Sequence, residues 1–224
     1  MCFSATVSFS AGAILLGLGT LTLKSACHAR ERPFAAIPLL FAIQQLSEGV
    51  IWLTFQQHAP QLNTVMTYVY FFFSHVLWPI YVPVVVLLIE PPGRQRLTLL
   101  VFVMIGAAVG AYLLYSLVVF PIVSRPVGRH IEYVMPHFFA AAVLALYLLP
   151  TTFGPMMSTH RMVRAFGVLA LLSFAGAYFF YATWFISVWC FFAALLSVVV
   201  YLHFALGKAK HIGSGHMLGT SVSD

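Results

Sequence analysis

Charge is what this chain has least of. Of its 224 residues only 7% are Asp, Glu, Lys or Arg, while 62% are hydrophobic. A soluble domain carries roughly 25% charged residues. So few ionised side chains cannot cover a 24.8 kDa particle in water, and the solvent for most of its surface is lipid. Cysteine is scarce too, with three in the chain, which excludes a disulfide scaffold. Long polar stretches are missing, which excludes a separate soluble domain, and the abundance of apolar residues excludes disorder. Acidic residues number five against eleven basic ones, giving a formal charge of +6. The basic residues are scattered over short connections rather than gathered on a patch, so the excess argues against a nucleic-acid partner.

What the chain has in quantity is apolar runs. A membrane helix needs about 20 such residues to cross a core of roughly 30 Å. Seven runs qualify, at about 5–23, 34–55, 65–89, 97–120, 131–150, 162–181 and 184–206. The last two are separated because a single helix over 162–206 would be about 68 Å long. Tyr178, Tyr181 and Trp184 provide interfacial aromatics for the turn between them. The expected fold is an all-α, seven-transmembrane-helix bundle, with residues 1–207 as one membrane domain and 208–224 as a flexible tail. With the N-terminus outside, nine of the eleven basic residues fall on the cytoplasmic side and only Arg125 and Arg129 outside. The positive-inside rule therefore predicts N-out, C-in.

Within the spans, ionisable residues are so few that each one is a functional candidate. Glu48 is the one carboxylate well inside a span, joined by His75, His137, His203 and Cys190. By helix rise, Glu48 lies about 10 Å below the outer face, His75 about 15 Å, and His137 and Cys190 about 9 Å. His203 belongs to the inner end. Gln45, Glu48 and Trp52 follow i, i+3, i+7 spacing and share a helix face, with Gln44 one turn from Glu48. On the fifth span, His130, Tyr133 and His137 repeat that spacing. His75 and Trp78 share a face on the third span, where Pro79 removes the amide that would bond the His75 carbonyl. These features predict an outward-facing polar pocket walled by Trp52, Trp78, Trp189 and Phe71, Phe72 and Phe73.

Two imidazoles and a carboxylate with an open water position make a catalytic zinc set. His75, His137 and Glu48 are the candidate ligands for zinc or another divalent metal. Glu48 is alternatively a general base, and Cys190 a fourth ligand or a nucleophile. Gln44, Gln45, Trp52, Trp78 and Tyr133 are candidate ligand-binding residues. The leading expectation is a metal-assisted membrane hydrolase acting on a lipid or small amphiphile. A transporter or sensor binding a proton, cation or small ligand at the same place is the competing class, and a structural or partner-binding subunit the third. Gly106 and Gly110 form a GxxxG pair, read here as packing within the bundle.

The run Met1-Cys2-Phe3-Ser4-Ala5-Thr6, then Gln44-Gln45 with Glu48-Gly49-Val50-Ile51-Trp52, and Ser187-Val188-Trp189-Cys190-Phe191-Phe192-Ala193 resemble a family of bacterial seven-span membrane proteins of unknown function. The resemblance covers the whole chain and implies the fold and the inner-membrane location, with no activity attached. A more distant likeness, of fold alone, is to the alkaline ceramidase and progestin/adipoQ receptor superfamily. This chain has Ser74-His75 on the third span but lacks that group's HxxxH pair on the last helix and its in-span Asp.

Overall fold

A computed structural model describes residues 4–128, 130–134, 141–180, 189, 192, 194 and 196–206. Four long helices open the chain: α1 (Ala5–Ser25), α2 (Arg32–Gln56), α3 (Pro60–Ile89) and α4 (Arg94–Val119). An antiparallel hairpin follows, β1 (Val123–Val127) and β2 (His130–Val134). The helices resume with α5 (Ala141–Met156), α6 (Arg161–Phe180) and α7 (Ser197–Leu206). Among the described residues five helices, α1 to α4 and α6, are long and apolar enough to cross a membrane, while α5 and α7 are shorter apolar helices.

The hairpin corrects the expected fifth span. Residues 131–134 pair as a strand, with Ser124 opposite Tyr133 and Val127 opposite His130. Val123, Val127, Ile131 and Val134 supply the β-branched residues that favour extended backbone. Gly128 turns the chain at φ +60°, a conformation glycine adopts without strain. Among the described residues the fold is therefore helical with one small hairpin. The His130–Tyr133–His137 helical stripe does not exist: His130 and Tyr133 lie three apart on a strand, so they point to opposite faces.

Small residues set the helix contacts. A methyl group on Gly12 would reach within 2.7 Å of Leu46, and one on Gly19 within 2.5 Å of Leu39, so α1 lies flush against α2. A methyl on Gly106 would strike the Pro79 carbonyl oxygen, and one on Gly110 would sit 2.5 Å from Ile80. The GxxxG pair is thus internal packing of α4 on α3. Prolines explain the closeness. Pro83 has no amide to give the Pro79 carbonyl, and Gly106 brings α4 backbone against that carbonyl.

At the opposite end of α3 from the hairpin, Glu90 is buried and binds the turn that precedes α6. Its carboxylate accepts the Ser158 hydroxyl at 2.6 Å and the Thr159 amide at 2.9 Å. Arg96 donates to the Glu90 carbonyl at 3.2 Å. His160 packs edge-on against His203 of α7, which also meets Phe34 of α2. This end of the bundle collects Lys24, Arg30, Arg32, Arg94, Arg96, Arg161 and Arg164, whereas the hairpin end has Arg125.

Candidate functional site

The second helix carries the polar face. Gln44, Gln45 and Glu48 are each 0% exposed and Trp52 is 9% exposed. Glutamine in a membrane helix is costly unless its amide finds partners, so each partner matters. The Gln44 carbonyl oxygen accepts the Trp78 indole N–H at 2.8 Å, joining α2 to α3. Trp78 also stacks on Phe41 with ring centroids 4.0 Å apart. Glu48 Oε1 accepts the Tyr133 hydroxyl at 3.3 Å, joining α2 to β2. Among the described residues neither the oxygen nor the nitrogen of the Gln45 amide has a hydrogen-bond partner, and the same holds for Gln44 Nε2 and Trp52 Nε1. The face predicted from spacing therefore exists, and it presents unsatisfied donors and one acceptor beside a carboxyl group.

Tyr133 connects this face to His75 through aromatic contacts. Its ring stacks on Tyr70 at 4.7 Å and meets the edge of Phe71 at 5.4 Å. Phe71 stacks on the His75 imidazole at 4.4 Å. His75 Nδ1 lies 2.7 Å from the hydroxyl of its neighbour Ser74. Of the expected wall, Phe71 is fully buried, but Phe72 is exposed and faces away. Trp78 and Trp189 line a cavity of about 40 Å³ together with Phe41, Tyr147 and Thr151. Trp52 stands apart from it, edge-on to Phe55. His137 and Cys190, the other expected metal or catalytic residues, lie outside the described residues, as does the tail 208–224. Among the described residues no three His, Cys, Asp or Glu side chains converge as a metal group would require.

The hairpin is held over this face by a chain of hydroxyls and one amide. Thr67 donates to Ser124 at 2.9 Å, Ser124 to the Asn63 oxygen at 2.9 Å, and the Asn63 nitrogen to Thr54 at 2.8 Å. Because Ser124 is the cross-strand partner of Tyr133, fixing Ser124 fixes the strand that brings the phenol to Glu48. His130, on the same strand, is partly buried, and that burial holds its imidazole below the ordinary value of 6.5.

Sequence reasoning also missed a linkage between α3 and α5. Residues Phe72–Leu77 form a π-helical turn, in which Trp78 N–H bonds the Phe73 carbonyl five residues back. In that register the donor for the Ser74 carbonyl would be residue 79, which is proline and has no N–H. That register places an orphan carbonyl at Ser74. Tyr147 fills the place: its hydroxyl donates to the Ser74 oxygen at 2.6 Å. A second π turn, Leu149–Phe153, lies within α5 itself. Such turns recur at functional sites. Pro79 signals the missing amide, but only the local register says which carbonyl loses it.

Buried polar side chains on apolar helices, with an aromatic-walled interior, define a multi-pass helical membrane protein that keeps its polar groups inside the bundle. Within that class, residues 1–212 match the model of a family of unknown function, DUF6629, and the chain belongs to that family. No curated protein and no solved structure matches the chain.

Proposed function

We propose that the chain crosses a bacterial inner membrane seven times, N-terminus outside and C-terminus cytoplasmic, and binds a small hydrogen-bonding or amphiphilic ligand beside Glu48. The two short apolar helices, α5 and α7, serve as the fifth and seventh crossings. The observation that carries the ligand reading is Gln45: fully buried, one turn from Glu48, with both ends of its amide unpartnered among the described residues. Gln44, Trp52, Trp78 and Tyr133 complete the ring of donors and aromatic surface. A ligand bearing a carbonyl or hydroxyl group satisfies the Gln45 and Trp52 donors, and its apolar part lies against Trp78. This reading makes the protein a membrane-embedded binding protein of the transporter or sensor class.

One observation favours a second reading, a metal-assisted hydrolase acting on a lipid. The Ser74 hydroxyl holds His75 Nδ1, as outer partners hold the rings of metal-bound histidines. Zinc or another divalent ion would then be held by His75, Glu48 and His137, with Cys190 as a further ligand or nucleophile.

The two readings separate in one set of measurements on detergent-purified protein. Thermal stability is measured against a panel of short-chain acyl amides, carboxylates and monoacylglycerols, and the metal content is measured by elemental analysis. The ligand reading expects stabilisation by a member of the panel that Gln45→Leu removes. It fails if every shift survives that substitution, or if no member shifts the wild type. The hydrolase reading expects stoichiometric metal that is lost in both His75→Ala and Glu48→Gln.

A further inference from the structure

A second site, independent of the polar face around Glu48, lies at the other end of the bundle. Between the last turn of α1 and the first turn of α2 there is a pocket of about 360 Å³ lined by Thr20, Leu23, Lys24 and Arg32. Both cations are exposed, and among the described residues neither pairs with a carboxylate, the ion pair there being His28 with Glu31. That is unexpected, because Glu31 is the immediate neighbour of Arg32. Its carboxylate is engaged elsewhere: Oε2 accepts the amides of Cys27 and His28, each at 3.1 Å, and Oε1 meets the His28 ring at 3.3 Å. The 26–31 connection thus folds its one acidic group back onto its own backbone and leaves a lysine and an arginine lining one concavity. Thr20 is uncharged, and its hydroxyl donates to the Leu16 carbonyl at 2.8 Å.

The position matters as much as the charge. Lys24 sits in the last turn of a 21-residue apolar helix and Arg32 begins a 25-residue one, so the pocket opens where hydrocarbon gives way to headgroups. A guanidinium binds phosphate oxygens in a fork, and an ammonium adds a point charge beside it. Leu23 offers the apolar lip on which a glycerol backbone rests. We propose that this pocket binds the phosphate of an anionic phospholipid headgroup, so that the α1–α2 corner is a specific lipid site. Basic pockets between membrane helices recognise acidic headgroups in this way.

The test uses the full chain purified in mild detergent. It is titrated with short-chain phosphatidylglycerol, with phosphatidylcholine of the same acyl length and with inorganic phosphate, each complex being counted by native mass spectrometry. Phosphatidylglycerol is expected to bind in preference to phosphatidylcholine, with inorganic phosphate competing weakly. Each neutralised cation is expected to weaken binding about five-fold, the equivalent of about 1 kcal/mol. Lys24→Gln with Arg32→Gln is then expected to weaken it roughly 25-fold. Arg161→Gln with Arg164→Gln removes the same charge from the same end of the bundle and is expected to leave binding within two-fold of wild type, an estimate of roughly the additivity error. Equal retention of the two lipids, or equal loss in both double variants, overturns the proposal. Inorganic phosphate binding as tightly as the lipid makes a soluble anion the ligand and overturns it as well. If the Lys24/Arg32 variant fails to fold, wild-type protein decides: high salt must abolish the preference for the anionic lipid.

Discussion

Replacing Tyr147 with phenylalanine removes one oxygen and nothing else, which makes it a clean test of the π turn in α3. Tyr147 is 2% exposed and its hydroxyl sits 2.6 Å from the Ser74 carbonyl. The carbonyl has no other route to a backbone donor. The Trp78 N–H is taken by Phe73, and residue 79 is proline. Leaving a buried acceptor unsatisfied costs about 1–3 kcal/mol, so Tyr147→Phe is expected to destabilise by that amount with little loss of packing. Pro79→Ala restores an amide at the position the π register needs. In that background the same substitution is expected to cost at least about 1 kcal/mol less, the scale of one hydrogen bond. The measurement is a double-mutant cycle by reversible unfolding in mixed micelles. Equal cost of Tyr147→Phe in the two backgrounds would refute the assignment of Ser74 as the orphan carbonyl, as would a cost indistinguishable from zero in the wild type.

Other expectations follow from the same geometry. Gly106→Ala forces a methyl group onto the Pro79 carbonyl, and is expected to cost about 1–3 kcal/mol or more by overpacking; the same change at Gly17, where nothing lies within 4 Å, should be neutral in thermal unfolding. Ser124→Ala cuts the chain from Thr67 to Asn63 and is expected to speed hydrogen exchange in β1 and β2 while α4 exchanges as before; unchanged hairpin protection would show that the hydroxyl chain does not hold the strand. For His130, the lowered pKa means that the unfolded chain binds the proton first, so stability is full above the ordinary value of 6.5 and falls as pH drops below it. Thermal melts of wild type should therefore lose stability in that range, and His130→Gln should lose less.

Most of the helical framework was legible because apolar run length is a direct consequence of hydrocarbon thickness. Helices α1 to α4 and α6 fall where those runs predict. The Gln45–Glu48–Trp52 face was legible for a similar reason, since spacing on a regular helix fixes direction. The GxxxG pair was read correctly as internal. The hairpin was not, because the hydrophobicity of Ile131, Tyr133 and Val134 suits a half-buried strand as well as a membrane helix. The alternation around Gly128 carried the missing signal. The π turns were invisible for a different reason: a single added residue leaves composition unchanged while altering which carbonyl faces which amide. Contacts such as Tyr133 with Glu48 or Tyr147 with Ser74 span 85 and 73 residues, and no local pattern encodes them.

The π turn at Phe72–Leu77 also has a consequence for ancestry. It holds one residue more than a regular helix would need over the same rise. A relative with one residue fewer between Phe71 and Trp78 would close that helix with ordinary bonds, and the proline would then orphan the carbonyl four residues before it, leaving the carbonyl that meets the phenol paired within the helix. Within the family, then, a deletion in the third helix and the loss of the tyrosine at 147 should be inherited together, so that a gap in one helix foretells a substitution in another.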